Sequence, residues 1–216
     1  MKPDITLNGT SMNSLGWLRE SISFPVPKSQ TNTIVVPGRN SPIRYTEALG
    51  RVSFEPRSFS IVLTMLGSRA KFNEMVTNLV NPYSGRLLKV ITSEDPDLYA
   101  VGTVQMEQEY DPLSGKGQVT CSCEDGDSYW YHCKETEVTV TGGGTVILQN
   151  DFMPVIPEIL TTGDTTISWN IGNDSFRKTL GAGKWTVPEL ELIAGKNSIQ
   201  LSGTGTTTFR YREGCL

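Results

Sequence analysis

The chain has 216 residues and a formal net charge of −4, and Val, Ile and Thr together number 53 while Ala numbers only 5. β-Branched side chains are stiff at χ1 and fit a pleated surface, so this composition predicts a mainly β protein. The sequence shows no basic cluster for nucleic acid, no apolar run near the ~18 residues of a spanning helix, and no apolar signal-peptide segment.

The first predicted elements form a hairpin. Short apolar strands at residues 34–36 and 43–46 flank a turn at Pro37, Gly38 and Arg39, because proline followed by glycine is typical of a tight turn. Alternating strands follow at residues 52–54 and 59–63. We expect this hairpin to lie at a contact between subunits, since few of its residues are of the core type.

A single helix is predicted over residues 68–80. Phe72, Met75, Val76 and Leu79 recur at helical spacing, and Ser68 can act as the N-cap. The helix is expected to stop at residues 81–82, because a residue that precedes proline disfavours the α region.

Strands dominate the rest of the chain. Residues 87–91 and 99–104 form a predicted hairpin, and residues 118–123 form a further strand. From about residue 136 onward, short strands alternate with Gly- and Asn-containing turns, which is typical of a β-sandwich. We therefore predict an N-terminal β-barrel or sheet domain with one inserted helix over residues 1–135 and a β-sandwich domain over residues 136–216.

Few residues suggest chemistry. His132 is the only histidine, so any Ser–His or Cys–His catalytic site would have to contain it. Cys121, Cys123 and Cys133 could complete a metal set with His132, but their spacing does not match a zinc knuckle, and reduced structural thiols are the plainer interpretation. We expect no enzyme activity and no cofactor or metal.

An aromatic cluster, Tyr129, Trp130 and Tyr131, lies at the predicted joint between the domains. Large aromatic side chains are enriched where surfaces pack together. We expect this cluster to pack two domains or two subunits against each other rather than to bind a ligand.

The order and spacing of these elements resemble the distal tail protein (Dit) family of long-tailed bacteriophages. The resemblance covers essentially the whole chain and depends on segments 5–9, 36–40, 68–80, 84–90, 95–102, 192–199 and 209–213. It implies a galectin-like C-terminal sandwich and a structural role in the virion, with no catalytic residue.

Membership in that family would also imply the partners. Distal tail proteins form a hexameric ring that connects the tail tube protein to the tail-tip protein and often carries receptor-binding proteins. The resemblance therefore implies assembly in the cytoplasm of the bacterial host, a place at the distal end of the tail, DNA that passes through the bore without specific binding, and no membrane partner.

Two alternatives remain open from the residues. A carbohydrate-binding sandwich for attachment to the host surface would stack a sugar on an aromatic face, for which Trp169, Phe176, Trp185 and Phe209 are candidates, although strand aromatics are more often core residues. A small hydrolase using His132 or a pair of carboxylates is the more distant alternative.

Overall fold

The computed structural model describes residues 3–46 and 51–216. The chain divides into two compact units, Met1–Trp130 and Tyr131–Leu216, and antiparallel strands make up most of both. The prediction of a mainly β fold with one α-helix is therefore confirmed for the described residues. A boundary between independently folding domains at residues 135 and 136 stays a prediction.

The first unit contains one α-helix, a short 3-10 helix at Asn13–Leu15, and a set of antiparallel strands. Its elements are β1 (Ile5–Leu7), β2 (Thr10–Ser11), β3 (Leu18–Ser23), β4 (Thr33–Ile34), β5 (Ile43–Arg44), β6 (Arg57–Leu66), α1 (Arg69–Tyr83), β7 (Arg86–Thr92), β8 (Leu98–Asp111) and β9 (Lys116–Gly126). The main sheet has the strand order β2-β1-β7-β8-β9-β6-β3, and β4 pairs with β5 outside it.

The long strand β8 joins the two halves of the main sheet. Its residues 100–104 pair with β7, which confirms the predicted hairpin, while its residues 105–111 pair with β9. Alternate side chains of β6, namely Phe59, Ile61, Leu63 and Met65, are almost completely buried. They share one hydrophobic core with residues of β1, β7, β9 and α1, so the alternation in the sequence does mark the core face.

Helix α1 begins as predicted and ends later. The Ser68 hydroxyl accepts a hydrogen bond from the backbone N–H of Lys71, which confirms the N-cap. The predicted stop at residues 81–82 is wrong, because the helix continues through Pro82 to Tyr83. Proline removes one backbone donor there, but the Ser84 N–H still bonds to the Val80 carbonyl, and Tyr83 packs against the core.

The helix packs on the sheet through a very close contact between Phe72 and β9. A Cβ atom added at Gly117 would lie 2.2 Å from the Phe72 ring. Phe72 is 1% exposed, and its ring centroid lies 6.3 Å from that of Trp17 and 5.3 Å from that of Tyr110. The absence of a side chain at residue 117 therefore allows the helix to seat its aromatic residue in the core.

The second unit is a β-sandwich. After β10 (Trp130–His132), its strands are β11 (Thr136–Thr141), β12 (Gly144–Asn150), β13 (Glu158–Thr161), β14 (Thr165–Ile171), β15 (Asp174–Leu180), β16 (Gly183–Thr186), β17 (Gly195–Gly203), β18 (Thr206–Tyr211) and β19 (Gly214–Cys215). Two four-stranded sheets, β11-β18-β13-β16 and β12-β17-β14-β15, share one buried core. This arrangement confirms the predicted sandwich.

We predict that Gly117→Ala destabilises the first unit. The added methyl group would overlap the Phe72 ring, and overpacking of this kind costs about 1–3 kcal/mol of unfolding free energy. Urea unfolding measures the change. Gly163→Ala is the matched control, because a Cβ atom there would have its nearest neighbour at 3.7 Å. Equal stability of the two variants would contradict the prediction.

We also predict that Cys121 and Cys123 are unreactive in the folded protein. Burial raises the pKa of Cys121 to about 12 and that of Cys123 to about 11. A raised thiol pKa means that less of the nucleophilic thiolate is present at a given pH. At pH 8, a disulfide reagent should modify the half-buried Cys133 and Cys215 first. It should reach the other two thiols only on unfolding, as peptide mass mapping would show.

Rapid modification of Cys121 in folded protein would contradict this assignment. The matching measurement is the same reaction in denaturant, where all four thiols should react at similar rates.

Candidate oligomer interface

A two-stranded arm extends the hairpin formed by β3 and β6. We call residues 28–46 and 51–55 the arm. Near its base, the Glu55 N–H donates to the Lys28 carbonyl and the Gln30 N–H donates to the Ser53 carbonyl, both at 2.8 Å. Farther out, β4 and β5 pair through Thr33 with Arg44 and Ile34 with Ile43. The arm is therefore ordered by backbone hydrogen bonds along its length.

The predicted turn forms the tip of the arm. Gly38 adopts φ 83°, and the Arg39 N–H donates to the Val36 carbonyl at 3.1 Å. Proline at the second position and a positive φ at the third define a type II turn, for which glycine is the favoured residue. The structure thus places Pro37, Gly38 and Arg39 together, and all three are exposed.

The arm exposes apolar side chains. Val35 is 79% exposed, Ile34 52%, Tyr45 45% and Val36 38%. Contiguous exposed apolar surface is uncommon on monomeric proteins and often marks a site of protein contact. This part of the molecule therefore has the character of an interface.

The arm also differs from the rest of the chain in charge. Residues 28–55 contain four basic and two acidic residues, a net charge of +2. Because the whole chain has a net charge of −4, the remainder has −6. Opposite charge favours contact between the arm and another part of a second copy and increases the rate of association.

An aromatic cluster packs at the base of the arm, which we call its root. It consists of Phe24, Phe54, Phe59, Tyr129 and Trp130. The Phe24 ring stacks on Phe59 at 4.9 Å between centroids and lies 4.8 Å from Trp130. Tyr129 meets the edge of Phe54, a residue of the arm, at 6.1 Å. Two members of the predicted aromatic trio therefore contribute to the first unit itself, while the half-buried Tyr131 belongs to the second. Their part in domain or subunit packing stays a prediction.

A buried arginine holds this root together. Arg57 is 2% exposed, and its guanidinium lies 5.4 Å from the centre of the Trp130 ring. It donates to the backbone carbonyls of Ser128 at 2.9 Å and Pro25 at 3.1 Å. Sequence reasoning missed this residue. The sequence did contain a signal, because Arg57 lies an even number of residues before the buried positions of β6 and therefore belongs to the same face of the strand.

The second unit holds a cavity of about 380 Å³ beside β14 and β17. Ser168, Asn170 and Gln200 contribute to its polar lining, and Trp169 lies in its wall but is only 7% exposed. Trp169 stacks on Phe176 at 5.5 Å and donates its indole N–H to the Glu189 carbonyl.

The other aromatic candidates for sugar stacking differ in exposure. Phe209 is completely buried, whereas Trp185 is 40% exposed, contrary to its expected core position. The Trp185 indole N–H donates to the Gly181 carbonyl at 2.9 Å. Of the four candidates, only Trp185 therefore offers a substantial open surface.

The described residues contain few side chains that could act in catalysis or bind a metal. His132 lies 3.3 Å from the Asp151 carboxylate in the second unit. Residues 3–46 and 51–216 contain no group of three or more His, Cys, Asp or Glu side chains arranged to hold a metal ion. Within the same ranges, no helix is long and apolar enough to cross a membrane.

We predict that Arg57→Met destabilises the root of the arm by about 3 kcal/mol. Methionine keeps most of the side-chain volume but leaves the Ser128 and Pro25 carbonyls without their charged donor, and such a loss costs ~1–3 kcal/mol for each group. Thermal unfolding measures the effect. Arg86→Met, at an exposed strand position, is the control. An Arg57→Met variant as stable as the control would refute this role.

No protein-family model and no curated protein matches the sequence. A comparison of the fold with solved structures does find a similar protein. The chain is similar to the crystal structure of SPP1 Dit (gp 19.1), which is described as a paradigm of the hub adsorption apparatus in phages that infect Gram-positive bacteria. The TM-score is 0.74, the alignment covers 100% of both chains, and 12% of residues are identical.

A second structure adds nothing to this comparison. A de novo designed double-stranded β-helix covers 37% of this chain and 99% of its own, with 21% identity, but its TM-score is only 0.26. The similarity to SPP1 Dit extends over the whole chain, so the resemblance to distal tail proteins is confirmed at the level of the fold.

Proposed function

We propose that this protein is a structural subunit of a phage tail tip, where copies of it form a hexameric ring between the tail tube and the tail-tip proteins. The observation that carries the proposal is the full-length similarity to SPP1 Dit, a hub protein of an adsorption apparatus. On this proposal, the chain works in the virion at the distal end of the tail and catalyses no reaction.

The exposed arm supports an oligomer of this kind. A ring with cyclic symmetry needs two different surfaces on each subunit, one that meets the preceding copy and one that meets the next. An arm with exposed Ile34, Val35 and Val36 provides one such surface. Its backbone pairs within itself, so the apolar side chains are what a neighbouring copy would cover.

The proposed partners follow from the position of such a ring. One face would meet the last ring of the tail tube and the other the tail-tip protein, and the ring itself would carry receptor-binding proteins. DNA would pass through the bore without specific binding, and the acidic net charge of the chain favours weak contact with a polyanion.

We predict that purified protein assembles into rings. Light scattering after size-exclusion chromatography should give about six times the chain mass of 23.7 kDa, and negative-stain images should show a closed ring. Protein that stays monomeric at every concentration, or that turns over a substrate, would contradict the proposal.

The tip of the arm can be tested separately. We predict that Arg39→Glu reverses the charge at an interface and shifts the light-scattering mass toward smaller species. Arg177→Glu, which changes an exposed arginine of the sandwich, is the matched control and should leave the mass unchanged. If Arg39→Glu assembles like the control, the turn at Pro37 and Gly38 does not contribute to a subunit contact.

A further inference from the structure

The cavity beside β14 and β17, which we call the sandwich cavity, opens where these two strands part. The last pair in their register is Trp169 with Ile199. Beyond this pair, Asn170 lines one side of the cavity and Ser198 the other. Because β14 ends two residues later, at Ile171, the gap is too short for a further strand to pair there. Its volume of about 380 Å³ instead lies in the range of small-molecule sites.

Three polar side chains lie together in the lining of the sandwich cavity. Ser168 and Gln200 are direct cross-strand neighbours, and Ser198 follows two residues from Gln200 on the same face of the strand. Within the part of the chain that the structure describes, none of these three side chains makes a hydrogen bond. Elsewhere on the same sheet, the neighbours Thr166 and Thr179 do bond to each other, at 2.9 Å. One amide and two hydroxyls are therefore available to a ligand.

A preformed apolar rim adjoins these polar groups. The Asn197 side chain accepts a hydrogen bond from the Ile193 N–H at 3.0 Å and donates to the Ile193 carbonyl at 2.8 Å. These two bonds fix Ile193 at the cavity, where it is 60% exposed, and Ile171 is 45% exposed there. Apolar surface with a few well-placed polar groups is typical of ligand sites.

The charge of the lining favours a neutral ligand. Lys196 is the only cation and Glu191 the only carboxylate among the lining residues, so their charges cancel. An ion that left water for this cavity would therefore gain no net attraction to offset its desolvation. Amides and hydroxyls both donate and accept hydrogen bonds, which matches the hydroxyl groups of a neutral polyol.

We propose that the sandwich cavity binds the terminal sugar of a glycan, a neutral hexopyranose. Gln200, Ser198 and Ser168 would bond its hydroxyls, and its C–H face would lie on the exposed isoleucines of the rim. This mode of binding needs no aromatic ring for stacking, since Trp169 in the same wall is only 7% exposed. The open rim leaves room for the rest of the glycan to extend into solvent.

The sandwich cavity is independent of the proposed ring. All its lining residues belong to the second unit, so a single copy would bind sugar. Few hydrogen bonds hold the ligand, and we expect a dissociation constant of about 1 mM for one site. In a ring, several such sites would act together on a surface that carries many glycan ends.

Saturation-transfer NMR on the full chain tests the proposal with named probes. The methyl glycosides of glucose, galactose, mannose and N-acetylglucosamine represent glycan ends, because their anomeric oxygen is blocked. At least one of them should bind, and as well as the free sugar does. Methyl glucuronide, which carries a carboxylate, should bind more weakly than the methyl glucoside.

Variants locate the site. Gln200→Leu should weaken binding by about tenfold, because it removes one or two hydrogen bonds of ordinary strength, and Ser198→Ala should weaken it severalfold. Gln149→Leu is the matched control, since Gln149 is an exposed residue of the neighbouring strand β12 that does not line the cavity. Circular dichroism establishes that each variant is folded.

The outcomes separate this site from the ring. Binding that Gln200→Leu weakens and Gln149→Leu retains supports the sandwich cavity. The proposal is overturned if no methyl glycoside binds, if both glutamine variants bind alike, or if the glucuronide binds best. Light scattering on the same samples reports the ring separately, so monomeric protein that binds sugar overturns only the ring, and a ring that binds none overturns only the cavity.

Discussion

A two-stranded hairpin cannot bury its own side chains, and the arm of the first unit is such a hairpin. In water such a hairpin is at best marginally stable unless something packs on one of its faces. The arm pairs its backbone through β4 and β5 but leaves Val35 and its neighbours in solvent. The arm is therefore an element whose exposed apolar side chains the proposed assembly would cover.

The root of the arm shows how such an element can be held in place without a core of its own. Arg57 satisfies its donors on backbone carbonyls and covers the face of Trp130, while Phe24 stacks between two rings. A buried guanidinium is tolerated only when its hydrogen bonds are made. The aromatic and cationic contacts thus connect the arm to the core of β6 and β9.

Much of the architecture follows from local patterns in the sequence. Alternation in β6 gives the buried face, Ser68 gives the start of α1, and Pro37 with Gly38 gives the type II turn. These features depend on neighbouring residues or on the alternation of side chains along a strand, and both can be read directly from a single sequence. The same reasoning correctly expects a sandwich from the short strands of the second unit.

The features that sequence reasoning missed depend on tertiary contacts. Helix α1 continues through Pro82, and Tyr83 at its end packs on the core, a contact that a propensity rule does not include. Tyr129 and Trp130 suggest a joint by position, yet their partners Phe54 and Phe24 are more than 70 residues away in the chain. The groove between α1 and the end of β6 is likewise invisible in the sequence, because its lining comes from three separate segments.

The strand β6 has a geometric consequence for the proposed ring. It begins at Arg57, at the root of the arm, and ends at Leu66, close to the start of α1. An insertion in a surface turn of the sandwich would leave the distance between the arm and α1 unchanged, whereas lengthening β6 would move the arm away from the helix. The length of this one extended segment therefore determines how far from α1 the exposed apolar side chains of the arm lie.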